Sequence, residues 1–252
     1  MPHPTPWPWA GKGLKAIICD LDGVVTDTAA VHATAWKNLF DAVLRAHSER
    51  EGVPFVPFST EDYLLYVDGR PRYDGVRTFL ASRGIAPPEG SPEDSPELDT
   101  ICGLGNRKNA EFNSVIQRDG VTVFDRAVAL IRQLRSEGLR TAVVSSSKNC
   151  GPVLASTGLL DLFDAQVDGV YAAAKGLPGK PAPDTFIEGA RLAGVTPAES
   201  IMVEDALSGV QAGRDGGFGL VIGIDRGAGD AALRENGADI VVKDLGDFFG
   251  DH

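Results

Sequence analysis

Cysteine is scarce in this sequence: Cys19, Cys102 and Cys150 are the three in 252 residues. Their spacing makes neither a disulfide framework nor a thiolate metal site, and it fits a reducing cytoplasm. The four histidines, His3, His32, His47 and His252, are too scattered to suggest a histidine-rich metal centre. Basic charge is also short, since 24 Lys and Arg against 35 Asp and Glu leave a formal net charge of -11. That argues against a global nucleic-acid footprint, so an anionic ligand needs a local cluster of cations. No apolar run approaches the length of a transmembrane helix. Residues 1–13 lack the basic-then-apolar pattern of a secretory signal. Rich in Pro and Trp, they read as a tail whose Trp7 and Trp9 pack on the surface. The expectation is a cytoplasmic monomer with no nucleic-acid or membrane partner.

What is present begins with Lys15–Thr28. Ala16 to Cys19 reads as a buried strand, ending in Asp20, Leu21, Asp22 and Gly23. Residues two apart on an extended segment point the same way, so Asp20 and Asp22 can share a pocket. Both ionise only at large cost unless a cation sits between them or one keeps its proton. Helical spacing then follows over Thr28–Arg50, Glu61–Val67, Gly75–Ser82 and Arg107–Arg118, with a Pro- and acid-rich exposed loop at Ala86–Asp99. After Gly120, helices alternate with apolar strands. Asp125 is expected to cap a helix that Gly138 ends. Strands are expected at Thr141–Val144, Ala165–Val167, Ile201–Val203, Leu220–Ile224 and Asp239–Val242. Helices are expected from Pro183 to Gly194, over Ala206–Arg214 and over Ala231–Glu235, with a short turn of helix at Thr196 and Pro197. The fold class is α/β, a parallel sheet wrapped by helices with an inserted α-helical domain. The expected domains are a tail at 1–13, a core at 14–32 and 118–252, and a helical domain at 33–117.

In an open parallel sheet, ligands bind beyond the carboxyl ends of the strands. Four such segments carry unusual cargo here: Asp20 and Asp22; Ser145, Lys148 and Asn149; Lys180 in Gly-Lys-Pro-Ala-Pro-Asp; and Glu204 with Asp205. Carboxylate oxygens without imidazole or thiolate suit a hard cation, Mg2+ above all, and Mg2+ typically partners phosphate.

Asp20-Leu-Asp22-Gly-Val-Val-Thr-Asp, Ser145, Lys180 and Glu204-Asp205 resemble, in order, the four signature motifs of the haloacid dehalogenase (HAD) superfamily of phosphotransferases. The resemblance spans the chain apart from the tail and implies a Rossmann-like core with a helical cap. A closer resemblance is to the beta-phosphoglucomutase-like subfamily, through Thr28, His32, Trp36, Gly69, Arg72, Arg107-Lys108-Asn109 and Ser145 followed by Ser147-Lys148-Asn149. It implies that Thr28 and His32 belong to the hinge of a closing cap and that Arg72 grips the phosphate not being transferred. Lys108 and Asn109 would touch the sugar; Ser147, Lys148 and Asn149 would line the site. Asp68 departs from the subfamily pattern, which has a lysine facing the sugar there.

The implied reaction runs through an aspartyl-phosphate. Asp20 is the nucleophile and Asp22 the alternating general acid and base, while Ser145 and Lys180 hold phosphate oxygens. Mg2+ would be held by Asp20, Glu204, Asp205 and the backbone carbonyl of Asp22. The implied substrates are beta-D-glucose 1-phosphate and glucose 6-phosphate, interconverted through beta-glucose 1,6-bisphosphate. A phosphatase acting on a sugar phosphate or another small ester shares the same core motifs and is the alternative. Gly227-Ala-Gly229-Asp-Ala-Ala232 also matches a loose dinucleotide pattern, but it sits near the chain's end with one short unit after it. Gly103-Leu-Gly105 lacks the pattern's third small residue, since Lys108 occupies that place.

Overall fold

The computed structural model describes residues 7–249. The chain divides into two compact units, Met1–Thr26 with Val123–His252, and Asp27–Thr122. The borders expected from sequence were residues 33 and 117. His3, His252 and residues 1–6 of the expected tail lie outside the described residues.

The first strand, β1 (Ala16–Asp20), is buried along its whole length. A five-residue apolar run with both faces covered is how a central parallel strand reads. The chain then enters the helical unit: α1 (Ala29–Glu51), α2 (Thr60–Tyr66), α3 (Arg72–Ser82) and α4 (Ile101–Asp119). Gly52, at φ 69°, ends α1 in the left-handed conformation that favours glycine. The unit's core is aromatic. Trp36 stacks on Phe40 with ring centres 5.2 Å apart, Phe40 lies 4.3 Å from Phe79, and Phe58 meets Phe79 edge-on at 4.8 Å. Such pairs add about 0.5–1.5 kcal/mol each beyond their burial.

Helix α4 starts six residues before the expected Arg107. Thr100 caps it, accepting from the Gly103 amide at 2.9 Å. Gly103 and Gly105 suggest a break, because glycine inside a helix costs about 1 kcal/mol. At Gly105 close packing explains the choice, since a Cβ there would lie 2.7 Å from the Tyr73 ring. Between α3 and α4 the 86–99 segment is a loop without helix or strand, as its proline content predicts.

The chain returns at Val123, which bridges Thr26, and continues through α5 (Asp125–Ser136). Asp125 is the first helical residue rather than the cap; Phe124 holds the cap position and makes no side-chain cap. Next come β2 (Arg140–Val144), α6 (Cys150–Ser156), β3 (Ala165–Val167), α7 (Gly169–Lys175), α8 (Asp184–Leu192), β4 (Ser200–Glu204), α9 (Leu207–Asp215), β5 (Leu220–Ile224), α10 (Asp230–Asn236) and β6 (Ile240–Val242). Helices α6 and α7 go beyond the elements expected from sequence, because seven residues are too few for a periodic signature. All strand pairs are parallel, in the order β3-β2-β1-β4-β5-β6. The order reverses between β1 and β4, where a doubly wound sheet opens its ligand crevice.

Ile18, Val144 and Met202 face a core shared with Phe186 of α8 and Val210 of α9. Truncating a buried Phe of this kind costs about 3–5 kcal/mol. The N-terminal aromatics pack onto the same unit. Trp9 is buried, stacks on Trp7 at 5.6 Å and meets Phe248 edge-on at 4.9 Å. The Trp7 indole N–H also donates to Glu137 at 3.0 Å.

Candidate active site

Parallel register brings the acidic residues together. Cys19 pairs with Val203 and Asp20 with Val144, so Asp20, Glu204 and Ser145 emerge together at the carboxyl end of the parallel strands. Asp20, Glu204 and Asp205 each offer an oxygen within 4.8 Å of the others. Lys180, from the loop before α8, donates to Asp20 and, at 2.5 Å, to Glu204 Oε1. Exposure is 4% for Asp20, 3% for Lys180 and 0% for Glu204, so this charge cluster is removed from water. Glu204 spends its second oxygen locally, accepting from the Asp205 amide at 2.7 Å and the Ala206 amide at 3.3 Å. That fixes the chain just after β4 and presents Asp205.

Burial pushes the Asp20 carboxyl well above its ordinary range; Lys180 opposes this, while Glu204 and Asp22 add to it. Burial works against the Lys180 charge, but Asp20 and Glu204 outweigh it and raise its pKa. One ammonium among three carboxyls leaves excess negative charge, which a divalent cation would relieve. An all-oxygen donor set at this spacing fits Mg2+.

Asp22 is not among the three carboxylates whose oxygens lie within 4.8 Å of one another. Its Oδ2 accepts from the Ser145 hydroxyl at 3.3 Å, and Ser145 Oγ accepts from the Ser147 amide at 3.0 Å. The turn after Asp22 requires glycine on two counts: Gly23 has φ +81°, and a Cβ there would lie 1.9 Å from Asp205 Oδ2. Ser147 Oγ accepts from the Asn149 amide at 3.1 Å, Asn149 immediately precedes α6, and Lys148 is exposed.

Within the helical unit, Thr28 is buried just before α1. The His32 ring stacks on Phe112 at 4.0 Å, and its Nδ1 lies 2.5 Å from Lys108 Nζ. Lys108 is buried, 5.0 Å from the ring centres of both Trp36 and Phe112. Arg72 opens α3 and donates to Asn109 Oδ1 at 2.7 Å.

Two residues that sequence reasoning missed join these networks. Arg226, just past β5, donates from Nε to the Gly23 carbonyl at 2.7 Å and lies 3.8 Å from the centre of the Phe124 ring. Its place beyond a strand's carboxyl end was the available signal, hidden by the neighbouring glycine pattern. Asn106 binds Arg72 and Tyr73; a polar residue on a polar helix face carries no such signal.

A doubly wound sheet with a lysine-bridged carboxylate cluster at its switch point is built to hold a divalent cation beside an anionic group, as phosphoryl-transfer enzymes require. The sequence profile described as haloacid dehalogenase-like hydrolase matches residues 14–217, and the chain belongs to that family. It is 50% identical over 236 residues to a protein of Mycobacterium tuberculosis (strain CDC 1551 / Oshkosh) named beta-phosphoglucomutase, covering 92% of this chain and 90% of that one. Identity to the Bacillus subtilis protein of the same name is 31% over 237 residues, covering 93% and 91%. The solved beta-phosphoglucomutase from Clostridium difficile superposes with a TM-score of 0.70 at 25% identity, covering 93% of this chain and 92% of that one. Hexitol phosphatase A of Escherichia coli is 26% identical over 232 residues, covering 92% and 91%.

Proposed function

We propose that the chain is a Mg2+-dependent phosphosugar mutase, interconverting beta-D-glucose 1-phosphate and glucose 6-phosphate through beta-glucose 1,6-bisphosphate. The observation that carries the chemistry is the buried Asp20–Lys180–Glu204 cluster with Asp22 held separately by Ser145. The observation that carries the substrate is 50% identity over most of the chain to proteins named beta-phosphoglucomutase.

Asp20 attacks phosphorus, forming an aspartyl-phosphate as the bond to the leaving oxygen breaks. Asp22 gives that oxygen its proton. In the second transfer Asp22 takes the proton of the free hydroxyl of a sugar monophosphate, whose oxygen attacks the aspartyl-phosphate, re-forming the bisphosphate and regenerating Asp20. Lys180 and the Ser145 hydroxyl hold oxygens of the transferring group, where preorganised donors contribute most. Asp20, Glu204, Asp205 and the Asp22 carbonyl would hold Mg2+, which supplies charge neutralisation of the phosphoryl oxygens. Arg72 grips the phosphate that stays; Thr28 and His32 serve the hinge. Lys108, Asn109, Ser147, Lys148 and Asn149 contact the substrate. The enzyme acts as a cytoplasmic monomer, and sedimentation at twice 26.6 kDa would overturn that last point.

Supplying beta-D-glucose 1-phosphate, Mg2+ and a trace of bisphosphate while following glucose 6-phosphate and free phosphate together tests the reaction. Isomerised product with little free phosphate is the expected result. Free phosphate without glucose 6-phosphate would instead assign a phosphatase, the reading favoured by Asp68 and by the likeness to hexitol phosphatase A. Asp20→Asn should abolish both products.

A further inference from the structure

Arg72 is a half-buried cation with no ion-pair partner among the described residues. Its Nη2 donates to Asn109 Oδ1 at 2.7 Å and its Nη1 to Asn106 Oδ1 at 3.4 Å. Its guanidinium carbon lies 5.9 Å from the centre of the Tyr73 ring. Amide oxygens orient a guanidinium without neutralising it, so the full positive charge stays available to an anion.

Asn106 is committed at both ends of its amide. Its Nδ2 donates to the carbonyls of Pro92 at 3.0 Å and Asp94 at 2.9 Å. Its Oδ1 accepts from the Tyr73 hydroxyl at 2.9 Å as well as from Arg72. Turning the amide over would set its N–H2 against the Arg72 donors and its oxygen against two carbonyls. The oxygen therefore faces Arg72 because the 86–99 segment takes the other end.

That segment is itself tied down. Thr100 Oγ1 donates to Asp94 at 2.6 Å, the Ile101 amide to the Pro88 carbonyl at 2.9 Å, and Arg77 to Glu89 at 2.6 Å. Among its acidic residues, Asp94 is held by Thr100 and Glu89 by Arg77 in this way, Asp99 pairs with Arg107 at 3.1 Å and Glu93 accepts from the Ser91 hydroxyl, while the backbone carbonyls of Pro92 and Asp94 reach Asn106. The segment thus holds the amide beside Arg72 without placing a carboxylate on the guanidinium.

We propose that Asn106 is a positioning residue that aims the uncompensated Arg72 guanidinium at the non-transferred phosphate of the sugar phosphate, and that the 86–99 segment exists in part to hold Asn106 in that orientation. This rests on the role assigned to Arg72 under the proposed function. Guanidinium–phosphate pairing is charge-assisted and bidentate, so a misaimed or neutralised Arg72 weakens binding without touching the transfer chemistry.

The test compares Asn106→Asp, which places a carboxylate on Arg72, and Asn106→Ala with the parent chain on two substrates. Beta-D-glucose 1-phosphate carries the whole reaction through the bisphosphate; acetyl phosphate offers the transferred phosphate alone. The expected result is a KM for the sugar phosphate raised about tenfold or more in Asn106→Asp and less in Asn106→Ala, with acetyl phosphate turnover within about twofold of the parent. Unchanged KM overturns the proposal, and so does a parallel loss on both substrates, which marks a merely structural role. If Asn106→Asp fails to fold, Asn106→Ser, which adds no charge, takes its place with the same two criteria. If the parent chain isomerises nothing, the mutase reading fails on its own. Calorimetric titration of glucose 6-phosphate into parent and variant then decides the role of Asn106, with weaker binding by the variant supporting it. Equal affinity, or no binding by the parent, overturns it.

Discussion

Arg226 Nε donates to the carbonyl oxygen of Gly23 at 2.7 Å, across 203 positions of sequence. The same guanidinium lies 3.8 Å from the centre of the Phe124 ring and 3.6 Å from Asp244. It ties the turn after Asp22 to β5 and to the 3-10 turn Leu245–Phe249. Arg226→Met keeps most of the packing and removes the donor. Its kcat should fall about 10- to 100-fold, because small misplacements of a proton-transfer group carry large rate penalties. Arg226→Lys should recover part of the loss. Steady-state kinetics of the three proteins check this.

Lys180 is the cation that keeps Asp20 and Glu204 tolerable in a buried site. Lys180→Met leaves two buried carboxyls without it, a change that typically costs about 3–5 kcal/mol. Denaturant unfolding should show that loss, and turnover should vanish with it. A variant as stable as the parent would contradict the role assigned to the cluster.

The Asp20, Glu204 and Asp205 oxygens should bind Mg2+ whether or not substrate is present. At a hundredfold excess over Kd, binding should stabilise the fold by about 2.7 kcal/mol, and chelation should reverse that together with activity. Asp205→Asn should blunt the Mg2+-dependent rise in Tm. Thermal melts with and without chelator provide the measurement.

Gly23→Ala should be inactive although chemically mild. Its Cβ would lie 1.9 Å from Asp205 Oδ2, and φ +81° is strained for alanine. Loss of both Mg2+-dependent stabilisation and turnover is the expected outcome.

Glu199 gives a pH signature unconnected to catalysis. The Lys15 ammonium at 2.5 Å, with the amide and hydroxyl of Thr196, holds its carboxyl down at about 2. A depressed folded-state pKa contributes stability that is fully present above the ordinary carboxylate range. That stability is lost as pH falls through the folded value, here from about 4.5 to about 2. Lys15→Met should therefore lose stability mainly above this window and flatten the acid-unfolding curve within it. Salt should shrink the effect, because the Lys15 side chain is 63% exposed. Urea titrations between pH 2 and pH 7 check the sign.

The core motifs were legible because each is local. Asp20 and Asp22 follow a visible apolar strand, and Glu204-Asp205 follow another. Parallel register then left little freedom about which strand ends would meet. The start of helix α4 is hidden in the sequence because Gly103 and Gly105 resemble helix breakers, whereas the Tyr73 ring packs closely against Gly105. Helices α6 and α7 were missed because seven residues hold too little periodicity.

The α/β alternation, the acidic strand ends, the lysine before α8 and the family to which they point are all readable from the amino-acid sequence alone. These depend on residue type and on spacing along one segment. That Lys180 bridges Asp20 and Glu204 while Asp22 accepts from Ser145 follows from three-dimensional packing. The same holds for Arg226 reaching Gly23 and for Asn106 standing between Arg72 and the 86–99 segment. Such contacts join residues far apart in sequence. Folding closes those distances, and side-chain hydrogen bonding leaves no periodic mark on the chain by which to find them.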